Sequence, residues 1–112
     1  MIFKQEEHAG YTIIRFEEQR LDVLIAQEMK AELLKLLEKG PQRLGLDLSR
    51  VTFVDSSGLG ALVAVLKKVG VDASSSLRLW GLTREVKSVF ELTQLYKVFD
   101  IYELEQDALT LR

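Results

Sequence analysis

At 112 residues the chain is the size of one domain, able to bury about two thirds of the surface its unfolded form exposes. Apolar residues make up 47% and charged residues 29%, and the formal charge of −2 offers no basic excess for a nucleic-acid partner. Cysteine is absent, which excludes disulfides, thiolate zinc sites and cysteine nucleophiles and fits a reducing compartment.

The N-terminal MIFKQEEHAG holds no long apolar run and places acids where a signal peptide needs basic residues. No stretch approaches the ~20 apolar residues of a bilayer span. The expectation is a single cytoplasmic domain over residues 1–112 without direct membrane contact. Residues 2–7 and 11–17 read as two strands of a hairpin turning at Ala9-Gly10, with His8 a surface residue of that hairpin. A helix follows with Asp22 as its N-cap, Ile25, Met29, Leu33 and Leu36/Leu37 as its apolar stripe, and Gly40-Pro41 as its stop. Leu44, Leu46 and Leu48 alternate as a third strand, and Val51, Phe53 and Val54 carry apolar character up to a polar turn, Asp55-Ser56-Ser57-Gly58.

After that turn Leu59, Leu62, Val63, Leu66 and Val69 recur at helical spacing as far as Gly70. Residues 72–76 form a polar loop and 77–82 a fourth strand with Trp80 partly in the core. Thr83 caps a helix bearing Val86, Val89 and Phe90, Val98 to Tyr102 make a fifth strand, and Glu105 to Leu111 a last short helix. Strands joined through helices run parallel when adjacent. The reading is an α/β fold, a mixed β-sheet edged by an N-terminal hairpin. The alternation in the strands places the helices mainly on one face.

The turn at Asp55–Gly58 is where chemistry or contact is expected. A helix start leaves backbone N–H groups without partners and carries partial positive charge. Ser56 or Ser57 is the expected N-cap, and Gly58 allows the chain to turn; as a cap alone the turn contributes about 1 kcal/mol. A serine hydrolase would need a base, yet His8 is the lone histidine and no G-x-S-x-G elbow exists. A P-loop is absent, leaving Gly58 and Gly60 as weak support for nucleotide binding. An aspartyl-phosphate receiver would need further acids at neighbouring strand ends. What remains is a serine that receives phosphate from another protein.

The segment Phe53 to Leu62, F-V-D-S-S-G-L-G-A-L after the strand L-G-L-D-L-S, resembles the signature of STAS domains, specifically the stand-alone bacterial anti-sigma-factor antagonists. The likeness spans nearly the whole chain, including Leu21-Asp22 ahead of the first helix and the terminal pattern from Val89 to Phe99. It implies an STAS-like (SpoIIAA-like) fold and a non-enzymatic protein-binding switch without cofactor or metal. By that resemblance a kinase-type anti-sigma factor of ATPase fold phosphorylates Ser56, a serine phosphatase restores it, and the unphosphorylated form binds the anti-sigma factor and frees the sigma factor. Asp55, Ser57, Gly58, Leu59 and Gly60, with Arg20 and Asp22 from the preceding loop, are the expected partner surface. Asp55 is expected to orient the Ser56 hydroxyl or shape the turn. One departure stands out: family members often carry a glycine and an acid where this chain has Gln19-Arg20. Two other roles fit an STAS domain, a scaffold subunit of a signalling or stress assembly and an accessory of a membrane transport system.

Overall fold

A computed structural model describes residues 2–40, 43–70 and 75–110. Strands β1 (Phe3–His8) and β2 (Tyr11–Phe16) form an antiparallel hairpin in which Phe3 faces Phe16 and His8 faces Tyr11. Its turn takes positive φ at both central residues, Ala9 at 55° and Gly10 at 82°, the twist that two-residue hairpins prefer. Helix α1 (Val23–Glu38) follows a two-residue strand, β3 (Arg20–Leu21), and leads to β4 (Arg43–Asp47). A second short strand, β5 (Phe53–Val54), precedes α2 (Ser56–Val69). The rest is β6 (Ser76–Trp80), α3 (Arg84–Leu92), a 3-10 turn (Leu95–Lys97), β7 (Asp100–Tyr102) and α4 (Glu105–Thr110).

The main sheet has the order β1-β2-β4-β6-β7, parallel from β2 to β7 with β1 antiparallel at one edge. Leucines 44, 46 and 48 with Leu77 and Leu79 point to one face, where they meet Met29 and Leu33 of α1, Leu62 and Val65 of α2 and Val86 and Phe90 of α3 in a single core. Among the described residues three of the four helices therefore share a face, as the alternation predicts. Helix α4 closes the other face over Tyr11, Ile13 and Trp80.

Trp80 is fully packed, only 3% exposed, where partial burial is expected from the sequence. Its ring lies across Gly45, where a Cβ would fall 2.5 Å from the ring, and its indole N–H donates to Glu105 at 3.1 Å. Arg15 ties the same helix down through Glu105 while also engaging Asp47 and Glu6. The Glu105 carboxyl is held below its usual range by the hydrogen bonds from Arg15, and those contacts raise the guanidinium in turn. At Asp47 burial pushes the carboxyl up, but hydrogen bonds from Ser49 and Arg15 outweigh it and hold the carboxyl low.

Beyond shifts of one residue at the hairpin strands and at the start of the fourth strand, two boundaries and one pair of strands differ from the sequence reading. The fourth strand ends at Trp80 because Gly81 turns with φ 73°. The fifth starts at Asp100, since residues 95–97 coil into the 3-10 turn after Gln94 adopts φ 61°. The short pair β3–β5, a separate two-stranded parallel sheet, is too brief to show a period. Pro41, most of the polar loop at 72–76, and Leu111 lie outside the described residues.

Candidate functional site

The second small sheet and the starts of α1 and α2 build one surface. Arg20 pairs with Phe53 and Leu21 with Val54, so the loop before α1 is stitched to the segment before α2. The Gln19 carbonyl strengthens the join by accepting from the backbone N–H groups of Thr52 at 2.8 Å and Phe53 at 3.2 Å. The two helix N-termini are thereby set side by side, each with N–H groups that lack intrahelical acceptors.

Two aspartates satisfy part of that need. Asp22 caps α1, its Oδ1 accepting from Leu24 N–H at 3.1 Å and its Oδ2 from Arg20 Nε at 3.0 Å. The Arg20 hydrogen bond is the leading reason its carboxyl lies below the ordinary value. Asp55 caps α2, which corrects the expectation that Ser56 or Ser57 would do so: Oδ1 accepts from Gly58 N–H at 3.0 Å. The other oxygen, Oδ2, accepts from Val23 N–H at 3.1 Å, the first residue of the neighbouring helix. One carboxylate thus serves both helices. Aspartate can cap from this position because its side chain reaches the third residue of the helix while its own backbone stays extended. Among the described residues both oxygens accept from backbone N–H groups and neither meets the Ser56 hydroxyl, an arrangement that fits the shaping of the turn.

With Asp55 in that role, the serines fall inside the helix as its first two residues. Ser56 is exposed and Ser57 half-buried. Both line a groove between α1 and α2 together with Val23, Gln27, Lys30 and Gly60.

Gly58 is buried, and its glycine identity has a different cause from the turn freedom expected of it. A Cβ there would stand 2.0 Å from the Leu21 carbonyl oxygen and 3.1 Å from a Val54 methyl. The absent side chain lets the helix start touch the β3 backbone. Leu59 is buried beside it and packs into the core. Gly60, by contrast, is exposed and has open space where a Cβ would go.

The structure therefore gathers Arg20, Asp22, Asp55, Ser56, Ser57 and Gly60 on one surface, with Gly58 and Leu59 beneath it. It also brings in Val23, Leu24 and Phe53, which the sequence reading missed. Val23 is 66% and Leu24 83% exposed, and the Arg20 guanidinium lies over the Phe53 ring at 4.1 Å. A signal was present in the sequence: apolar residues occupy the first turn of α1, where acids usually stand. Among the described residues no three-residue metal-ligand cluster exists. No helix among them is long and apolar enough to cross a membrane.

Comparison with known proteins fits this architecture. The anti-sigma-B factor antagonist of Bacillus subtilis is 33% identical over 81 residues, 72% of this chain and 72% of that protein. A crystal structure of an anti-sigma factor antagonist from Mycobacterium paratuberculosis superposes with a TM-score of 0.85 at 27% identity, covering 96% of this chain and 90% of that one. The unphosphorylated form of the anti-sigma factor antagonist SpoIIAA, at 17% identity, shares the fold with a TM-score of 0.69, over 94% of this chain and 91% of its own. The STAS domain model itself matches residues 3–108. By fold, by the serine turn and by this match across its length, the chain belongs to the STAS domain family.

Proposed function

We propose that this protein is an anti-sigma-factor antagonist switched by phosphorylation of Ser56. The observation that carries the reading is the division of labour at the turn. Asp55 supplies the cap, and the exposed Ser56 hydroxyl has no structural duty among the described residues. A hydroxyl that the fold does not need can be modified without unfolding it.

The partner is a kinase-type anti-sigma factor, bound while Ser56 is unmodified and released afterwards, with a serine phosphatase reversing the change. In the transfer the Ser56 oxygen forms a bond to the γ-phosphorus of ATP held by the partner. The bond from that phosphorus to the ADP oxygen breaks, and the hydroxyl proton passes to a base of the kinase. The product adds about −1.5 to −2 charges and three acceptor oxygens. At the first position of α2 it sits beside N–H groups that have no intrahelical acceptor, so the helix tolerates it. Asp55 stands next to it, and that repulsion adds to the cost of keeping a partner over the site. A thousandfold loss of affinity needs only about 4 kcal/mol.

The test is a pull-down from the native lysate with wild type and Ser56→Asp as baits, followed by incubation of the recovered kinase with ATP. Recovery by wild type alone, with phosphate mapped to Ser56 and none on Ser56→Ala, supports the reading. Ser56→Ala keeps binding and cannot be switched off. Ser56→Asp keeps the wild-type melting temperature; its unfolding would show that charge at this position acts on the fold instead of the interface. Recovery of transporter subunits or large assemblies, indifferent to the mutation, would refute the switch.

A further inference from the structure

The two edges of the main sheet are finished differently. At β1 the side chains from Lys4 to His8 are exposed and polar or charged, the kind of edge that resists pairing with another strand. At the opposite edge β7 is bonded, among the described residues, to β6 alone. Apolar side chains flank it on both sides, Val98 at 57% and Leu104 at 54% exposure. Beside it a groove of about 490 Å³ opens between α3 and β7, with Leu82, Phe90, Tyr96 and Ile101 in its walls. The charged groups of that groove are Lys87 and Glu103, paired with each other at 3.0 Å, and Glu91. The core is left partly open where the sheet stops.

A strand added at this edge meets unpaired backbone N–H and C=O groups, and the side chains decide which strand fits. Asp100 and Tyr102 share one face, where Asp100 approaches Arg78 at 3.4 Å and accepts from the Tyr102 hydroxyl at 3.1 Å. Ile101 faces the core on the other side. A second copy that extends the sheet antiparallel about a twofold axis must match face to face, so any register setting Ile101 against Asp100 or Tyr102 is excluded. Centring the pair on Asp100 would set two carboxylates directly opposite, which is destabilising. Centring it on Tyr102 would bring Asp100 level with an apolar Leu104. Centring it on Ile101 avoids both conflicts. Asp100 then lies level with Tyr102 of the second copy, Val98 with its Leu104, and Lys97 with its Glu105, opposite in sign.

We propose that β7 is a self-pairing edge: a second copy of this chain docks antiparallel along it, Ile101 against Ile101, and joins two five-stranded sheets into one. None of these residues belongs to the serine surface, so the inference stands apart from the switch reading and both copies keep Ser56 exposed. A strand of three residues falls well short of the roughly 20–30 residues a side of a stable complex. The pair is therefore weak, monomeric at about 10 µM and mostly dimeric at about 1 mM.

Sedimentation equilibrium of the full chain at these two concentrations is the test, with ¹⁵N amide spectra recorded over the same range. Val98→Lys combined with Leu104→Lys sets like charges opposite at both flanks and should weaken association about tenfold or more. The melting temperature should not change, since both side chains face solvent. Val98→Lys combined with Leu104→Glu sets opposite charges there and should return association to within about threefold of wild type. Concentration-dependent amide shifts should centre on residues 98–104, and Ser56→Asp should dimerise like wild type. A wild type that stays monomeric at the higher concentration would leave the edge to a strand of another protein and overturn the proposed occupant. A Lys/Lys variant that dimerises like wild type, or shifts centred on residues 3–8 or on the serine turn, would place the contact elsewhere and overturn it too. A Lys/Glu variant as weak as the Lys/Lys one would overturn the Ile101-centred register, on which the choice of a second copy depends.

Discussion

Two glycines in the first turns of α2 should respond in opposite directions to the same substitution. At Gly58 an added Cβ would lie 2.0 Å from the Leu21 carbonyl oxygen, about 1 Å inside any tolerable contact. That oxygen belongs to backbone held in the β3–β5 pair, so no rotamer change relieves the clash. Overpacking of this kind costs typically 1–3 kcal/mol, and a backbone obstacle places it at the upper end. Against this, alanine gains about 1 kcal/mol over glycine in helix propensity. The net for Gly58→Ala is a loss of about 2 kcal/mol, which at roughly 4 °C per kcal/mol for a domain of this size lowers Tm by about 8 °C. At Gly60 nothing lies within 4 Å of the new Cβ, so only the propensity gain remains and Gly60→Ala should raise Tm by up to about 4 °C. Thermal unfolding followed by circular dichroism, with urea midpoints as a cross-check, measures both. An unchanged or raised Tm for Gly58→Ala would refute the argument that the helix start is seated against the Leu21 carbonyl.

Other expectations concern the carboxylates. Asp55→Ala removes the acceptor of two backbone N–H groups, Gly58 and Val23, and should cost about 2 kcal/mol at roughly 1 kcal/mol per cap. Asp55→Asn, which keeps one acceptor oxygen, should lose about half of that by urea midpoint. Glu105 and Asp47 titrate below their ordinary values of 4.5 and 3.8 in the folded protein. At acid pH the unfolded chain then binds more protons, so their contribution is complete above the ordinary values and is lost as pH falls through the depressed ones. Urea midpoints should hold steady above about pH 5 and decline below about pH 4, with a shallower decline in Arg15→Met. An equally steep decline in that variant would show that Arg15 is not what depresses the Glu105 carboxyl.

The main sheet and its helices were legible because their signals are long. Leu44, Leu46 and Leu48 alternate, α1 carries a full apolar stripe, and Asp22 and Thr83 cap where the sequence says they should. The serine turn was legible as a place, through its position between a strand and a helix. What the sequence concealed were contacts made across the chain. The cap at α2 belongs to Asp55 because its carboxylate is also claimed by Val23, 32 residues away, and no local pattern records that bond. Gly58 is fixed by the Leu21 carbonyl for the same reason. β3 and β5 have two residues each, below the length at which alternation means anything. Leu24 reads as part of an apolar run in sequence, and only its orientation shows that it faces water.

The seat of Trp80 has a spectroscopic consequence. It is the chain's one tryptophan, buried under α4 with its indole N–H on Glu105, while Ser56 opens α2, a helix packed on the other face of the sheet. Intrinsic emission excited above the tyrosine band is therefore a gauge of α4 alone. It should move toward longer wavelength when that helix lifts from the sheet, before the core around Phe90 opens, and should stay constant when a partner settles over the serine. Binding at the serine turn has to be followed by a label placed there, and an emission shift during such a titration would mean that the event had been felt through the sheet.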